Sequence, residues 1–224
     1  MNRSSRARYV PALRFNSLTP FYDSVVAITT REKSFKQALL EQSAIQAGHR
    51  VLDLACGTGT LAIKIRQISA ATEVTGIDGD PAILSIARRK AERAGARVQF
   101  DLGDACSLPY PDSRFDRVLS SLFFHHLDRE QKAQALQEVF RILRPGGQLH
   151  VADWGKASNA LMRTLFILVE RLDGVDGTRD NVTGRLPDFF RHAGFRDVEG
   201  HRSFSTVFGT LALYSAVKPP EERR

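Results

Sequence analysis

Cysteine is scarce in this chain: two residues in 224, Cys56 and Cys106. Neither sits in a Cys-x-x-Cys pair, and no Cys/His spacing suits zinc, so the pattern points to neither a disulfide framework nor a metal centre. No metal is expected, and a reducing, cytoplasmic setting fits this usage. Long hydrophobic runs are missing as well. The most apolar stretch, around 165–169, falls far short of the roughly 20 residues a membrane-spanning helix needs. Internal repeats and low-complexity linkers are absent. The start of the chain lacks acids but carries Arg3, Arg6, Arg8 and Arg14, a large part of a net charge of +7. That balance permits an anionic partner without requiring one. With no apolar leader core behind it, the segment 1–17 reads as a flexible basic tail.

What is present suits one soluble globular domain: 42% hydrophobic and 25% charged residues. Thr19-Pro20-Phe21 has the look of a helix start, with a capping hydroxyl before a proline at the first helical position. Helical pattern then runs, with breaks, to Gln46. Beyond it, strands and helices alternate. Strands are expected at 51–55, 73–78, 97–102, 115–121 and 148–153, and helices at 60–68, from Pro81 to near Gly95, and from the Asp128 cap onward. Arg144-Pro145-Gly146-Gly147 reads as a turn. A helix at 158–172, a polar loop, a helix at 183–193 and strands at 195–201 and 205–217 complete the order. Alternation of this kind predicts an α/β fold, Rossmann-like and doubly wound, with a mostly parallel seven-stranded sheet. The short link between the last two strands requires an antiparallel last strand. An N-terminal helical cap over 18–48, a core over 49–218 and a tail over 219–224 give a single domain at 18–218.

The stretch VLDLACGTGTLAIKI, 51–65, is strand, glycine turn and helix. Gly57-Thr58-Gly59-Thr60-Leu61-Ala62 satisfies the dinucleotide pattern G-x-G-x-x-A, and Asp78 ends the next strand, so a nicotinamide or flavin enzyme fits this stretch alone. The acids argue otherwise. Asp53 ends the first strand where a pyrophosphate would lie, and Asp104 would bring a further carboxylate to the same crevice. Two like charges about 4 Å apart repel by roughly 1 kcal/mol in water and about 4 kcal/mol at an effective dielectric of 20. A cationic ligand is favoured.

VLDLACGTG, GIDGDPAIL, GDACSLPYPDSRFDRV, LRPGGQLHVAD and HAGF, in that order, resemble the motifs of the class I S-adenosylmethionine-dependent methyltransferases. The resemblance covers about 18–218 and implies S-adenosylmethionine as cofactor and S-adenosylhomocysteine as product. It places Ala55, Gly57, Thr58 and Gly59 of the turn against the cofactor, with both glycines allowing close backbone approach. It gives Asp53 the methionine ammonium, Asp78, beside Gly79, the ribose hydroxyls, and Asp104 the adenine amino group, with the Ala105 amide on a ring nitrogen. Ser121 and Leu122 would lie near the reacting methyl. Asp80 is read instead as a helix cap and Asp116 as a structural residue.

The acceptor is less legible. Methyl transfer is an in-line displacement in which positioning can supply effective molarities of roughly 10⁵–10⁸ M, so no metal or covalent intermediate is required. His125 and His126, in SSLFFHHLD, offer a general base for a phenol, enol or amine. The simpler reading makes them partly buried residues that shape the loop. Phe123-Phe124 and 161–169 read first as core and second as a substrate pocket, and the loop 173–181 is a lid candidate. The N-terminal FYDSVVAITTREKSFKQALL loosely resembles the ubiquinone/menaquinone-biosynthesis C-methyltransferases and their phospholipid N-methylating relatives, which would bring Tyr22 over the cofactor. A small, lipophilic acceptor and a peripheral contact with a membrane surface follow from that resemblance. Two other classes remain. An RNA or protein methyltransferase is opposed by Ser-Ser-Leu-Phe after the fourth strand, where base-amine enzymes carry an Asn-Pro-Pro-Tyr type motif, and nucleic acid is not expected as a partner. A non-catalytic protein that binds the cofactor is the other.

Overall fold

The computed structural model describes residues 32–155, 180–181, 183–206 and 209–221. The basic tail, Tyr22, the first part of the helical cap, the expected helix at 158–172 and nearly all of the lid candidate lie outside these residues. In chain order the elements are α1 (Glu32–Ser43), β1 (Arg50–Leu54), α2 (Thr60–Ile68), β2 (Glu73–Asp78), α3 (Pro81–Arg93), β3 (Gln99–Leu102), β4 (Phe115–Ser121), a 3₁₀ turn (Phe124–His126), α4 (Arg129–Ile142), β5 (Leu143–Trp154), α5 (Leu186–His192), β6 (Arg196–Ser205) and β7 (Thr210–Val217). They form one seven-stranded sheet in the order β3-β2-β1-β4-β5-β7-β6. Strands β1 to β5 pair in parallel, and β7 runs antiparallel to both β5 and β6. The mixed edge expected from the short β6–β7 link is therefore present. Among the described residues no helix is long and apolar enough to cross a membrane.

Two apolar layers hold the sheet between helices. On one face Phe35, Ala38 and Leu39 of α1, Leu61 and Ile65 of α2, and Leu84 and Ala87 of α3 bury with Val51, Leu119 and Ala152. On the other, Leu136 and Val139 of α4 and Leu186 and Phe190 of α5 bury with Leu52, Leu54, Val118 and Val151. Successive strand residues alternate between faces. Asp53, between Leu52 and Leu54, therefore faces α1 and α2, while Asp153 shares the face of Val151 and looks toward α4 and α5.

The helix ends follow their sequence signals. Asp80 accepts from the Ala82 and Ile83 amides ahead of α3, and Asp128 forms a reciprocal capping box with Gln131 at the start of α4. Asp116 is structural as expected: its carboxylate takes the Arg50 amide and the Arg144 guanidinium, each at 2.6 Å, joining the starts of β1, β4 and β5. Several boundaries differ from expectation: α5 is shorter than 183–193, and β6 and β7 span Arg196–Ser205 and Thr210–Val217 instead of 195–201 and 205–217. Helix α1 stops at Ser43, because Ala44 turns left-handed at φ +43°. The expected turn 144–147 is an excursion inside β5: Leu143 pairs with Phe115, the register slips, and pairing resumes at Gln148. Lys218 ties that excursion down, accepting from the Gly146 amide and donating to the Gly147 carbonyl, each at 2.9 Å.

Candidate active site

The strand order reverses between β1 and β4, the switch point at which open α/β sheets bind ligands beyond their carboxyl ends. Backbone strain gathers there. Ala55, just past β1, has φ +55°, and Leu122, just past β4, has φ +56°, a region that costs a residue with a Cβ about 1–2 kcal/mol. Gly57 at +53° and Gly59 at +74° complete a turn in which three of five residues are left-handed. Such strain persists where the surrounding structure enforces it, typically at ligand sites.

The two glycines differ. A Cβ on Gly57 would meet nothing within 4 Å, so its face is open to a ligand. A Cβ on Gly59 would stand 2.8 Å from the Phe100 ring and 3.1 Å from the Ala87 Cβ. Gly59 thus has a packing reason to be glycine: it lets α3 and β3 close against the start of α2. Thr58, on the rim of the turn, shares the Lys90 ammonium with Thr60, which Lys90 holds at 2.6 Å.

Asp53 is 1% exposed at the end of β1. Its Oδ2 accepts from the Ala62 amide at 3.0 Å, capping α2, whose N-cap Gly59 has no side chain to offer. Its Oδ1 has no hydrogen-bond partner. Burial pushes the Asp53 carboxyl up to about 7, against the opposing pull of Lys36 on α1 and the Ala62 bond. A buried, unpartnered carboxylate oxygen carries a desolvation cost that a bound cation would offset.

Asp78 fastens the turn to β2. Its Oδ2 accepts from the Gly57 amide at 2.9 Å and its Oδ1 from the Asp80 amide at 3.0 Å, while Gly79 between them is exposed. Burial raises its carboxyl from the ordinary value, against those two bonds. The Gly103 amide donates to the Asp78 carbonyl at 3.1 Å, which brings the exit of β3 alongside. One residue on, Asp104 is exposed and accepts from the Cys106 amide at 2.9 Å, in a tight turn that carries Ala105. Exposed Leu102 pairs with Asp78 in register, an apolar surface beside the acid.

On the other side of the switch point, Ser121 is paired with Ala152, and the Leu122 amide bonds to the Ala152 carbonyl at 2.8 Å. The two histidines separate in character. His125 is buried, its Nδ1 lies 2.7 Å from Asp153 Oδ1, and its amide reaches Asp153 Oδ2 at 3.3 Å. His126 is exposed and its ring lies 3.9 Å from the His125 ring, centroid to centroid. Burial opposes the charge on Asp153, but His125 and the Trp154 amide hold its carboxyl below the ordinary value. An ionised Asp153 only accepts, so Nδ1 of His125 is the donor and Nε2 of the neutral ring is the basic nitrogen.

Sequence reasoning did not single out Asp153. The signal was present in LHVADW, an acid closing an apolar strand as Asp53 closes VLDL. The structure brings Asp53, Gly57, Thr58, Asp78 and Gly79 together, with Asp104, Ala105, Ser121 and Leu122 at adjoining strand exits.

Known proteins resemble this chain in sequence and in fold. The methyltransferase domain family matches residues 51–147. A demethylmenaquinone methyltransferase of Thermus thermophilus is 37% identical over 142 residues, 62% of this chain and 64% of that protein. The ubiquinone/menaquinone biosynthesis C-methyltransferase UbiE of Pseudomonas fluorescens is 32% identical over 228 residues, covering 92% of this chain and 87% of the relative. The chain belongs to the class I S-adenosylmethionine-dependent methyltransferases, related to UbiE. It spans less than two thirds of the Thermus relative's length. Among solved structures, the [4+2]-cyclase SpnF superposes with a TM-score of 0.71 at 22% identity, over 91% of this chain and 93% of that one. That likeness shows the fold, and a fold is not a reaction.

The family's cofactor is S-adenosylmethionine, and the residues fit it. Asp53 Oδ1 offers an unpartnered anionic oxygen for an ammonium, the Gly57 face is open, and Asp78 keeps acceptor capacity for a diol.

Proposed function

We propose that the protein transfers a methyl group from S-adenosylmethionine to a small, lipophilic hydroxylated aromatic acceptor, a quinol foremost, releasing S-adenosylhomocysteine. The observation that carries this reading is the buried, unpartnered Asp53 Oδ1 beside Asp78 at the switch point. Kinship with UbiE and with the demethylmenaquinone methyltransferases supports the quinol class.

The bound cofactor supplies an electrophilic methyl on a sulfonium. Asp53 orients its ammonium, Asp78 its ribose, and the Asp104–Ala105 turn its adenine. The left-handed bends at Ala55 and Leu122 bring backbone close to the reacting end. His125, oriented by Asp153, would accept the acceptor's hydroxyl proton at Nε2, raising electron density on the ring carbon that takes the methyl. That carbon then loses its own hydrogen as a proton to solvent, and the hydroxyl regains its proton from His125. A net positive charge of +7 supports a peripheral contact with an anionic membrane surface, from which a lipophilic quinol would be drawn.

The test is incubation with methyl-labelled S-adenosylmethionine and a panel of naphthoquinols, phenols, amines and phospholipids. Label entering a quinol, with one S-adenosylhomocysteine formed per product, is the expected result. Label entering only amines or phospholipids would overturn the quinol assignment, and no transfer to any acceptor would overturn the enzymatic one.

A further inference from the structure

Asp53, Asp78 and the Asp104 turn provide for the cofactor's ammonium, ribose and adenine, but not for the carboxylate of its amino-acid end. Helix α1 holds a group suited to it. Phe35, Ala38 and Leu39 bury α1 in one cluster with Cys56, Leu61, Ala62 and Leu122, just past β1 and β4 and at the start of α2. Lys36 follows Phe35 directly and pairs with Glu32 one turn earlier. Their side chains are 12% and 17% exposed, whereas the comparable Arg191–Asp188 pair on α5 is 56% and 59% exposed. An intrahelical ion pair drawn this far from water costs desolvation that its own attraction repays poorly. Asp53 looks toward this helix, and after burial Lys36 is the strongest influence on its ionisation. Yet the two do not bond, since Asp53 Oδ1 has no partner. An anion and a cation close enough to influence each other without bonding match the two ends of an α-amino acid. The other lysine at the turn, Lys90, is committed to Thr58 and Thr60.

We propose that Lys36 binds the carboxylate of the cofactor's amino-acid end, across from the ammonium at Asp53, exchanging its pairing with Glu32 for that contact. This rests on the cofactor reading above. Helix α1 then acts as a binding element, and it selects ligands that carry a free amino-acid carboxylate.

The experiment compares S-adenosylhomocysteine with 5′-methylthioadenosine, which keeps adenine, ribose and sulfur but lacks the amino-acid end. Both are titrated calorimetrically into the unaltered protein, Lys36→Met and Lys36→Arg. Lys36→Met should weaken S-adenosylhomocysteine by about 10- to 100-fold and leave 5′-methylthioadenosine within about twofold. Lys36→Arg should recover most of the loss. If Lys36→Met binds both ligands as the unaltered protein does, or weakens both equally, the lysine assignment is overturned and the cofactor reading stands. If the unaltered protein binds neither ligand, the cofactor reading falls and the lysine assignment with it.

Discussion

Asp53 does two things that pull against each other. It caps α2 through Ala62, and it holds a second oxygen unpaired in a buried place. Because burial raises its carboxyl from 3.8 to about 7, the ligand-free folded chain keeps a proton through that window which the unfolded chain has lost, so stability falls as pH rises from about 4 to 7. Asp53→Asn removes this dependence. The variant should be more stable than the unaltered protein at pH 8, by roughly 1–4 kcal/mol in urea unfolding, while its affinity for S-adenosylhomocysteine drops. In the unaltered protein that affinity should strengthen between pH 6 and pH 8 as the carboxylate ionises, and the slope should vanish in the variant. His125 is the other residue with a separable role. His125→Asn should lower kcat by about 10²- to 10⁴-fold, with S-adenosylhomocysteine affinity within about twofold. Loss of affinity and stability together, with turnover per bound cofactor unchanged, would return His125 to loop-shaping alone.

At the scale of elements, the glycine turn shows what the sequence carries and what it hides. The strand–turn–helix order, the limits 60–68, 73–78 and 115–121, and the caps at Asp80 and Asp128 are local, written in periodicity and in side chains that bond within a few residues. The packing of Gly59 is not local. Its neighbours, Phe100 and Ala87, arrive from β3 and α3, and no spacing rule reveals them. Gly57→Ala should therefore cost about 1–2 kcal/mol of stability, from its left-handed backbone alone. Gly59→Ala should cost about 2–5 kcal/mol, adding overpacking against Phe100 to the same strain. Parallel urea titrations of the two variants give the comparison, and equal costs would contradict it. The pairing of Asp153 with His125 was illegible for a similar reason. Asp153 closes a strand as Asp53 does, but only the fold shows that β5 lies beside β4 and delivers the carboxylate to His125.

For the whole molecule, sheet topology is what converts scattered acids into one site. Asp53, Asp78 and Asp153 stand at or next to the carboxyl ends of β1, β2 and β5, and Asp104 stands two residues past β3. The order β3-β2-β1-β4-β5 places them along one edge around the switch point. The spread of Asp53, Asp78 and Asp104 suits a ligand with an ammonium, a diol and an amine and disfavours a pyrophosphate, while Asp153 is taken up by His125. The alternation of strands and helices made the doubly wound sheet legible. The acceptor was not, because proton transfer needs one base and the rest is placement. The most direct test is calorimetric titration of S-adenosylhomocysteine and, separately, NAD into the unaltered protein and Asp78→Ala, with thermal midpoints recorded to confirm that both are folded. Micromolar binding of S-adenosylhomocysteine, near −8 kcal/mol, weakened by about 10- to 100-fold in Asp78→Ala and with no NAD binding, is the predicted result. Binding of NAD, or S-adenosylhomocysteine affinity unchanged in the folded variant, would contradict the site described for this protein.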